Sequence, residues 1–383
     1  MDKLTRRDLV KASAGAMAGL AAISAVPERL AAAVHTARRG KQAARIRFAV
    51  IGGNHNHIFG QVGAATRGGG EFAAYYIREP EIRAQFARRY PNVKAVADER
   101  AILEDNSIQL VLSSIVPIER APLGVRVMKH GKDYMADKPG IITMAQLAEA
   151  RRVQKETKRI YSILYSERLE VPAAVKAGEL VKAGAIGTVI QTVGLGPHRT
   201  SPQTRPEWFW DVKYYGGILC DIGSHQFDQF LYFTGSTSGE IVASQVRNVN
   251  HPDHPNFQDF GDVMVRGNGG TGYIRNDWFT PDGLSTWGDG RLTVIGTNGY
   301  IELRKYVDIA GRPGGNHLFL VDQKGTNYID CKAVETPYGT QLVDDVVNRT
   351  ETAVPQKHTF LASELSIRAQ EQAKTLKSGE HPV

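Results

Sequence analysis

From residue 45 to about 144, short apolar runs alternate with amphipathic stretches. Residues 46–51 predict a buried strand, a turn of Gly, Asn and His follows, and 72–77 predict a second strand. Helices are expected over 81–89 and 121–130, the latter closed by Gly131, with strands over 108–113 and 134–136. Unbroken Val/Ile/Leu strands separated by helices are the pattern of a parallel sheet covered on both faces. Residues 145–157 continue as helix, 160–165 as strand, and 171–183 as an amphipathic helix stopped by Gly184.

Beyond that point the texture changes. Residues 189–193, 240–246, 262–266, 271–278, 291–295, 300–304, 318–321 and 328–331 read as strands between Gly, Asn, Asp and Pro turns. Asn298-Gly299 and Gly267-Asn268-Gly269-Gly270 have the composition of hairpin connections. Helices over 341–348 and 361–376 close the chain. The expected architecture is therefore α/β plus α+β: a doubly wound parallel-sheet domain over 45–158, then an α+β domain with an open, mostly antiparallel sheet over 159–383. The closing helices are able to pack back on the first domain. A chain of 383 residues is too long for one ordinary core, which supports two domains.

Composition adds the class: 42% hydrophobic and 23% charged residues describe a soluble globular protein. The net charge of +7 includes Lys3, Arg6, Arg7 and Lys11 and a patch at Arg38, Arg39, Lys41, Arg45 and Arg47. No basic–aromatic pattern accompanies them, so nucleic acid is not an expected partner. Thr5-Arg6-Arg7-Asp8-Leu9 precedes an apolar, small-residue run over 12–26 and then Ala31-Ala32-Ala33. That order predicts a twin-arginine export signal over 1–33, cleaved near Ala33, and a periplasmic or otherwise exported protein handled by the twin-arginine machinery. The alternative is an amphipathic N-terminal helix in a cytoplasmic protein. The run is too short and too rich in Ala and Gly for a stable membrane span. Residues 34–44 read as a basic arm or linker, and the stretch 38–47 as one able to fold over a bound cofactor. Cys220 and Cys331 are expected to be small buried side chains rather than a disulfide.

Three sets of residues carry candidate chemistry. The first strand runs into Gly52-Gly53-Asn54-His55-Asn56-His57, a turn where only the first glycine of G-x-G-x-x-G stands. Asn54 tolerates left-handed backbone angles; His57 replaces the glycine that allows close helix packing. Gly52, Gly53, Asn54, His55 and His57, with Ser114 and Pro117 after the strand over 108–113 and Lys138 after that over 134–136, are the expected dinucleotide contacts. Arg78 ends the second strand and favours a ribose 2′-phosphate, hence NADP; Glu79 beside it keeps NAD open. The second set is Asp137-Lys138-Pro139, where a strand ends and points an ammonium into a cleft. The third is Asp221 and His225 in Gly216-Gly217-Ile218-Leu219-Cys220-Asp221-Ile222-Gly223-Ser224-His225, four residues apart on a helix face. Lysine, carboxylate and imidazole together suit an alcohol that loses a proton from oxygen while a hydride leaves carbon. Asp228 continues the same face, but one His and two carboxylates on one helix do not define a metal site, and no metal is expected.

Asp137-Lys138-Pro139 and the segment Tyr215 to His225 resemble the E-K-P and G-G-G-x-x-x-D-x-G-x-H motifs of the Gfo/Idh/MocA oxidoreductases, the glucose-fructose oxidoreductase and inositol dehydrogenase family. The likeness covers the chain from about Arg45 onward, with Asp137 for Glu and Tyr215 for the first Gly. It implies a Rossmann domain, an NAD or NADP cofactor and a sugar, cyclitol or polyol substrate. Lys138 would hold the substrate hydroxyl near the nicotinamide, Asp221 would orient substrate, and His225 would be the general base. Relatives of the glucose-fructose type carry Tyr where this chain has His225. Export without a free nucleotide pool implies a tightly bound cofactor. His198, Arg199 and Trp210 are expected to line the sugar pocket, and the broad second sheet implies a homo-oligomer. Two other readings use the same residues: glycoside cleavage through transient oxidation with retained cofactor, and a non-catalytic nucleotide-linked sugar-binding protein. The loop holding His251, Asp253 and His254 reads as a solvated turn.

Overall fold

In the computed structural model, which describes residues 44–376, the first strands are β1 (Ile46–Ile51), β2 (Gly70–Tyr76), β3 (Lys94–Ala95), β4 (Leu110–Ser113), β5 (Asp133–Asp137) and β6 (Tyr161–Leu164). They form one parallel sheet in the order β3-β2-β1-β4-β5-β6. The order reverses between β1 and β4, which opens a crevice at the carboxyl ends of the strands. Leu110, Val111 and Leu112 of β4 are fully buried because helices cover both faces. A helix that the turn composition does not announce, His57–Arg67, starts within the turn after β1.

The second sheet holds β7 (Val189–Pro197), β8 (Gly239–Arg247), β9 (Phe260–Gly267), β10 (Gly270–Asp277), β11 (Arg291–Gly296), β12 (Gly299–Arg304), β13 (His317–Asp322), β14 (Gly325–Asp330) and β15 (Lys374–Thr375). Its order is β14-β13-β12-β11-β7-β10-β9-β8-β15. It is mixed rather than purely antiparallel: β7 lies parallel to β10, and β8 parallel to β15. β15 also corrects the last predicted helix, which ends at Gln372. Ala373 turns to extended angles, φ −62 and ψ 128, and Lys374 and Thr375 pair with Gln245 and Val246.

The Gly223–Thr234 helix lies on one face of this sheet, and glycines let it come close. A Cβ on Gly194 would sit 2.4 Å from Gln226 Oε1, and one on Gly272 would sit 2.8 Å from Phe230. Met264, Tyr273, Val193, Phe319 and Tyr328 alternate with residues packed against the helices, so they lie on the opposite face. The closing helices, Tyr338–Asn348 and Gln356–Gln372, do pack back on the first sheet. Gln356 Oε1 accepts from the Tyr161 N–H at 2.9 Å, and Arg349 holds the buried Asp133 at 2.6 Å. One apolar core accordingly runs from Ile46 through Phe230 to Ala369.

The predicted export signal and residues 34–43 of the arm lie outside the described residues. Arg45 and Arg47 are not part of a covering arm: Arg45 donates to Asp344, and Arg47 pairs with Glu71 and Ser107 at the amino end of β1. No helix of the described residues is long and apolar enough to cross a membrane. Both cysteines are buried and free.

Candidate active site

The carboxyl ends of β1, β2, β4, β5 and β6 converge on one crevice. At the end of β1, Gly52 has φ +75, and a Cβ there would lie 1.6 Å from Ile115 Cγ2, so only glycine fits. Gly53 sits against Phe86. Asn54 Nδ2 donates to Glu79 Oε1 at 2.9 Å, while Asn54 Oδ1 and Glu79 Oε2 stay buried without partners among the described residues. Ser114 Oγ donates to the His55 carbonyl at 2.8 Å, tying the end of β4 to the turn. Pro117 opens the Pro117–Lys129 helix beside it. Gly52 is required by the turn and by Ile115; it is the orphaned oxygens of Asn54 and Glu79, a hydroxyl-binding pair, that fit a dinucleotide here. Arg78 instead faces the surface, where it donates to Glu119 at 2.7 Å.

The two turn histidines reach across to β5. His55 Nδ1 lies 3.1 Å from Asp137 Oδ2, and His57 Nδ1 lies 2.9 Å from Asp137 Oδ1. The buried Arg120 guanidinium is 3.1 Å from the same carboxylate, and the Lys138 N–H donates to it at 2.8 Å. Burial alone would raise the Asp137 pKa; the charges of His57 and Arg120 and both imidazole hydrogen bonds hold it well below the ordinary carboxylate value.

Lys138, only 5% exposed, donates from Nζ to Asp221 Oδ1 at 2.9 Å, joining the two motifs across 83 positions of sequence. Burial opposes the Asp221 charge, but the Lys138 ammonium and its hydrogen bond outweigh it and lower that pKa. Asp221 ends the short Ile218–Asp221 helix and His225 lies in the next, Gly223–Thr234. Ile222 between them keeps helical angles, φ −72 and ψ −41, so the expected one-turn spacing is preserved. His225 is buried, and its Nδ1 has no hydrogen-bond partner among the described residues. Burial pushes its pKa down to about 3, with the Lys138 charge adding and Glu167 opposing. The imidazole is therefore neutral.

Of the expected pocket residues, only His198 joins this group. Its ring stands 4.6 Å from Trp287 and 5.4 Å from Trp278, and burial followed by the Lys138 charge lowers its pKa to about 4. Arg199 does not: its guanidinium is bonded to the carbonyls of Pro281, Leu284 and Thr286, pinning a loop. Trp210 does not either; it stacks on His254 at 3.9 Å within an aromatic cluster with Phe209 and Phe257. In that loop His251 and His254 pack inward, with His251 Nδ1 held by Asp259 at 2.9 Å, while Pro252, Asp253, Pro255 and Asn256 are exposed as a solvated turn. Asp228 is taken up by Arg168 and His358, away from Asp221.

Two residues that the sequence reading passed over belong here. Glu167, just past β6, accepts from Lys305 Nζ at 2.6 Å and from Gln226 Nε2 at 3.0 Å, and its other oxygen is buried without a partner among the described residues. Burial would raise the Glu167 pKa, but Lys305 and then His225 lower it. A carboxylate beyond a parallel strand's carboxyl end was the available signal for Glu167. Nothing local marked Lys305.

This architecture defines a Rossmann-type dinucleotide fold joined to an open mixed sheet, with a polar cleft between the first sheet's carboxyl ends and the Asp221–His225 segment. The chain belongs to the Gfo/Idh/MocA family. Residues 174–302 match the model of the GFO/IDH/MocA C-terminal domain. The crystal structure of a protein from Erwinia carotovora atroseptica, assigned as an oxidoreductase without a named substrate, is 46% identical; the match covers 87% of this chain and 100% of that one, with a TM-score of 0.85. Levoglucosan dehydrogenase of Pseudarthrobacter phenanthrenivorans is 24% identical over 196 residues, 50% of this chain and 49% of that protein. The chain thus spans about half the length of this curated relative. A 3-ketoreductase from Actinomadura kijaniata, solved in complex with NADP and TDP-benzene, shares the fold at 17% identity, with a TM-score of 0.70 over 86% of this chain and 98% of that one.

Proposed function

We propose that this protein is an NAD(P)-dependent oxidoreductase that moves a hydride between a nicotinamide and a hydroxyl-bearing carbon of a sugar, cyclitol or related polyol. The observation that carries the reading is the Lys138–Asp221 pair, 2.9 Å apart and beside the buried neutral His225, at the carboxyl end of a dinucleotide-type sheet. The levoglucosan dehydrogenase relative supports the substrate class.

The nicotinamide would accept or supply the hydride. Asp221 fixes the Lys138 ammonium, whose remaining N–H groups hold the substrate oxygen. In the oxidative direction a C–H bond gives up its hydride, the O–H bond breaks, and a C=O bond forms. His225 takes the hydroxyl proton. Its depressed basicity suffices because the alcohol becomes far more acidic as the hydride departs. Glu167, held by Lys305, stabilises the imidazolium that results. Asn54 and Glu79 would bind ribose hydroxyls, which suits NAD, while Arg78, paired with Glu119, would add only a weak pull toward the 2′-phosphate of NADP. Export through the twin-arginine route, a cofactor retained through export, and a second copy covering the Met264–Tyr328 face complete the proposal.

Protein purified folded is to be denatured and its released nucleotide identified, while intact protein is given sugars, cyclitols and glycosides and followed at the nicotinamide absorbance. Bound nucleotide that becomes reduced by one of the alcohols supports the proposal. Product from a glycoside without net reduction would replace it with redox-neutral cleavage. No nucleotide, even after supplementation, would overturn it.

A further inference from the structure

We propose that His55, His57 and Asp137 form a binding site for a divalent first-row transition metal, at the mouth of the same cleft. The candidate ligand atoms of these residues all lie within 4.8 Å of one another. His55 Nδ1 and His57 Nδ1 approach the Asp137 oxygens to 3.1 and 2.9 Å. Two ligand bonds of about 2.0–2.1 Å at a common ion, opened to a roughly octahedral or tetrahedral angle, place their donors about 3 Å apart. The same distances serve a hydrogen-bonded pair, so the surroundings decide between the two.

Asp137 has partners besides the histidines: the Arg120 guanidinium lies against it as an ion pair and the Lys138 N–H donates to it. Arg120 is itself fixed by the carbonyls of Ile115, Lys138 and Pro139, which holds the carboxylate in one orientation. Yet two imidazoles, 29% and 40% exposed, give up side-chain freedom to converge on it from a turn where a nucleotide-binding fold calls for small residues. His57 in particular occupies the third glycine position of the motif, so the turn carries an imidazole where the fold itself calls for no side chain.

Two nitrogens and one carboxylate suit zinc-class ions rather than magnesium or calcium. Three protein ligands leave open positions for water or another oxygen, as in catalytic sites rather than closed structural ones. Metal binding moves each imidazole proton from Nδ1 to Nε2 and replaces the two N–H···O contacts with bonds to the ion.

The site stands whether or not a nucleotide binds, so the test uses nucleotide-free protein. Untagged full-length protein is stripped with chelator and titrated with Co²⁺, read by visible absorption, and then with Zn²⁺ as competitor. Equimolar Co²⁺ with a ligand-field band that Zn²⁺ displaces is the expected result. The His55→Ala/His57→Ala variant should weaken binding by more than about 100-fold, beyond what loss of an outer hydrogen-bond partner costs. His130→Ala, an exposed histidine elsewhere, should bind as the parent does. Should the double variant misfold, His57→Gln reads the same loss on a part-exposed side chain, with circular dichroism confirming the fold. Absence of Co²⁺ and Zn²⁺ binding at micromolar concentration, or equal binding by the histidine variants, would overturn the site. Nucleotide affinity is measured separately on the same samples, which distinguishes failure of the metal from failure of the dinucleotide reading.

Discussion

Two carboxylates seven residues apart, Asp221 and Asp228, lie on one helical run and meet opposite fates. Asp228 is fully buried and saturated: Arg168 grips it through Nε and Nη2, each at 2.7 Å, and His358 Nε2 adds a third contact at 2.8 Å. Burial would raise its pKa, but the Arg168 charge and the His358 hydrogen bond bring it down to about 2. Asp221 keeps 14% of its side chain exposed and, among the described residues, has a single polar side-chain partner, the Lys138 ammonium. A bidentate guanidinium locks a carboxylate in one geometry, whereas an ammonium holds it through a point contact and retains donors for something else. The carboxylate with unfinished bonding is the one placed to meet a ligand.

The largest expected effect is on chemistry. Lys138→Met should reduce kcat/KM on the preferred alcohol by about a thousandfold while nucleotide affinity changes little. A loss under tenfold by steady-state kinetics would break the contrast, because Asp221 and its partner would then be as structural as Asp228. Asp228→Asn should cost about 3 kcal/mol of unfolding free energy by urea titration, since it strips the charge from a buried pair and strands Arg168. Activity per folded molecule should remain.

The pH dependence sharpens the same division. His198 and His225 have folded pKa values of about 4 and about 3, below the ordinary 6.5. Between those values and 6.5 the unfolded chain binds more protons, so stability falls as the pH drops from about 6.5 toward 3. Each imidazole contributes a slope of at most about 1.4 kcal/mol per pH unit. Denaturation at pH 7, 5 and 4 should show it, and His225→Gln should flatten it. The smallest effect is expected at Arg78: Arg78→Gln should change the NADP-to-NAD affinity ratio only a few-fold, since that half-exposed side chain already pairs with Glu119 in solvent.

Local pattern revealed the strands, because Leu110 to Leu112 can only be a strand buried on both faces, and it revealed Lys138, because a lysine before proline at a strand's end stands out. It could not reveal what only the parallel sheet assembles. His55 and His57 meet Asp137 because the carboxyl end of β5 lies near that of β1, 80 positions away. Glu167 and Lys305 are joined across 138 positions by the contact between the two sheets' layers. Arg199 and Trp210 misled for a related reason: a cation beside a histidine, or an indole in an aromatic run, looks the same in sequence whether it faces a sugar or a neighbouring loop.

The contact between Gly52 and Ile115 has a practical consequence for anyone re-engineering the turn. A methyl group on residue 52 would overlap Ile115 Cγ2 at 1.6 Å, and the backbone there stands at φ +75. Shortening Ile115 would relieve the overlap but not the backbone strain of a side chain at that angle. Cofactor preference should therefore be rebuilt from Asn54, Arg78 and Glu79, leaving Gly52 and Ile115 as one fixed unit that no single substitution can resize.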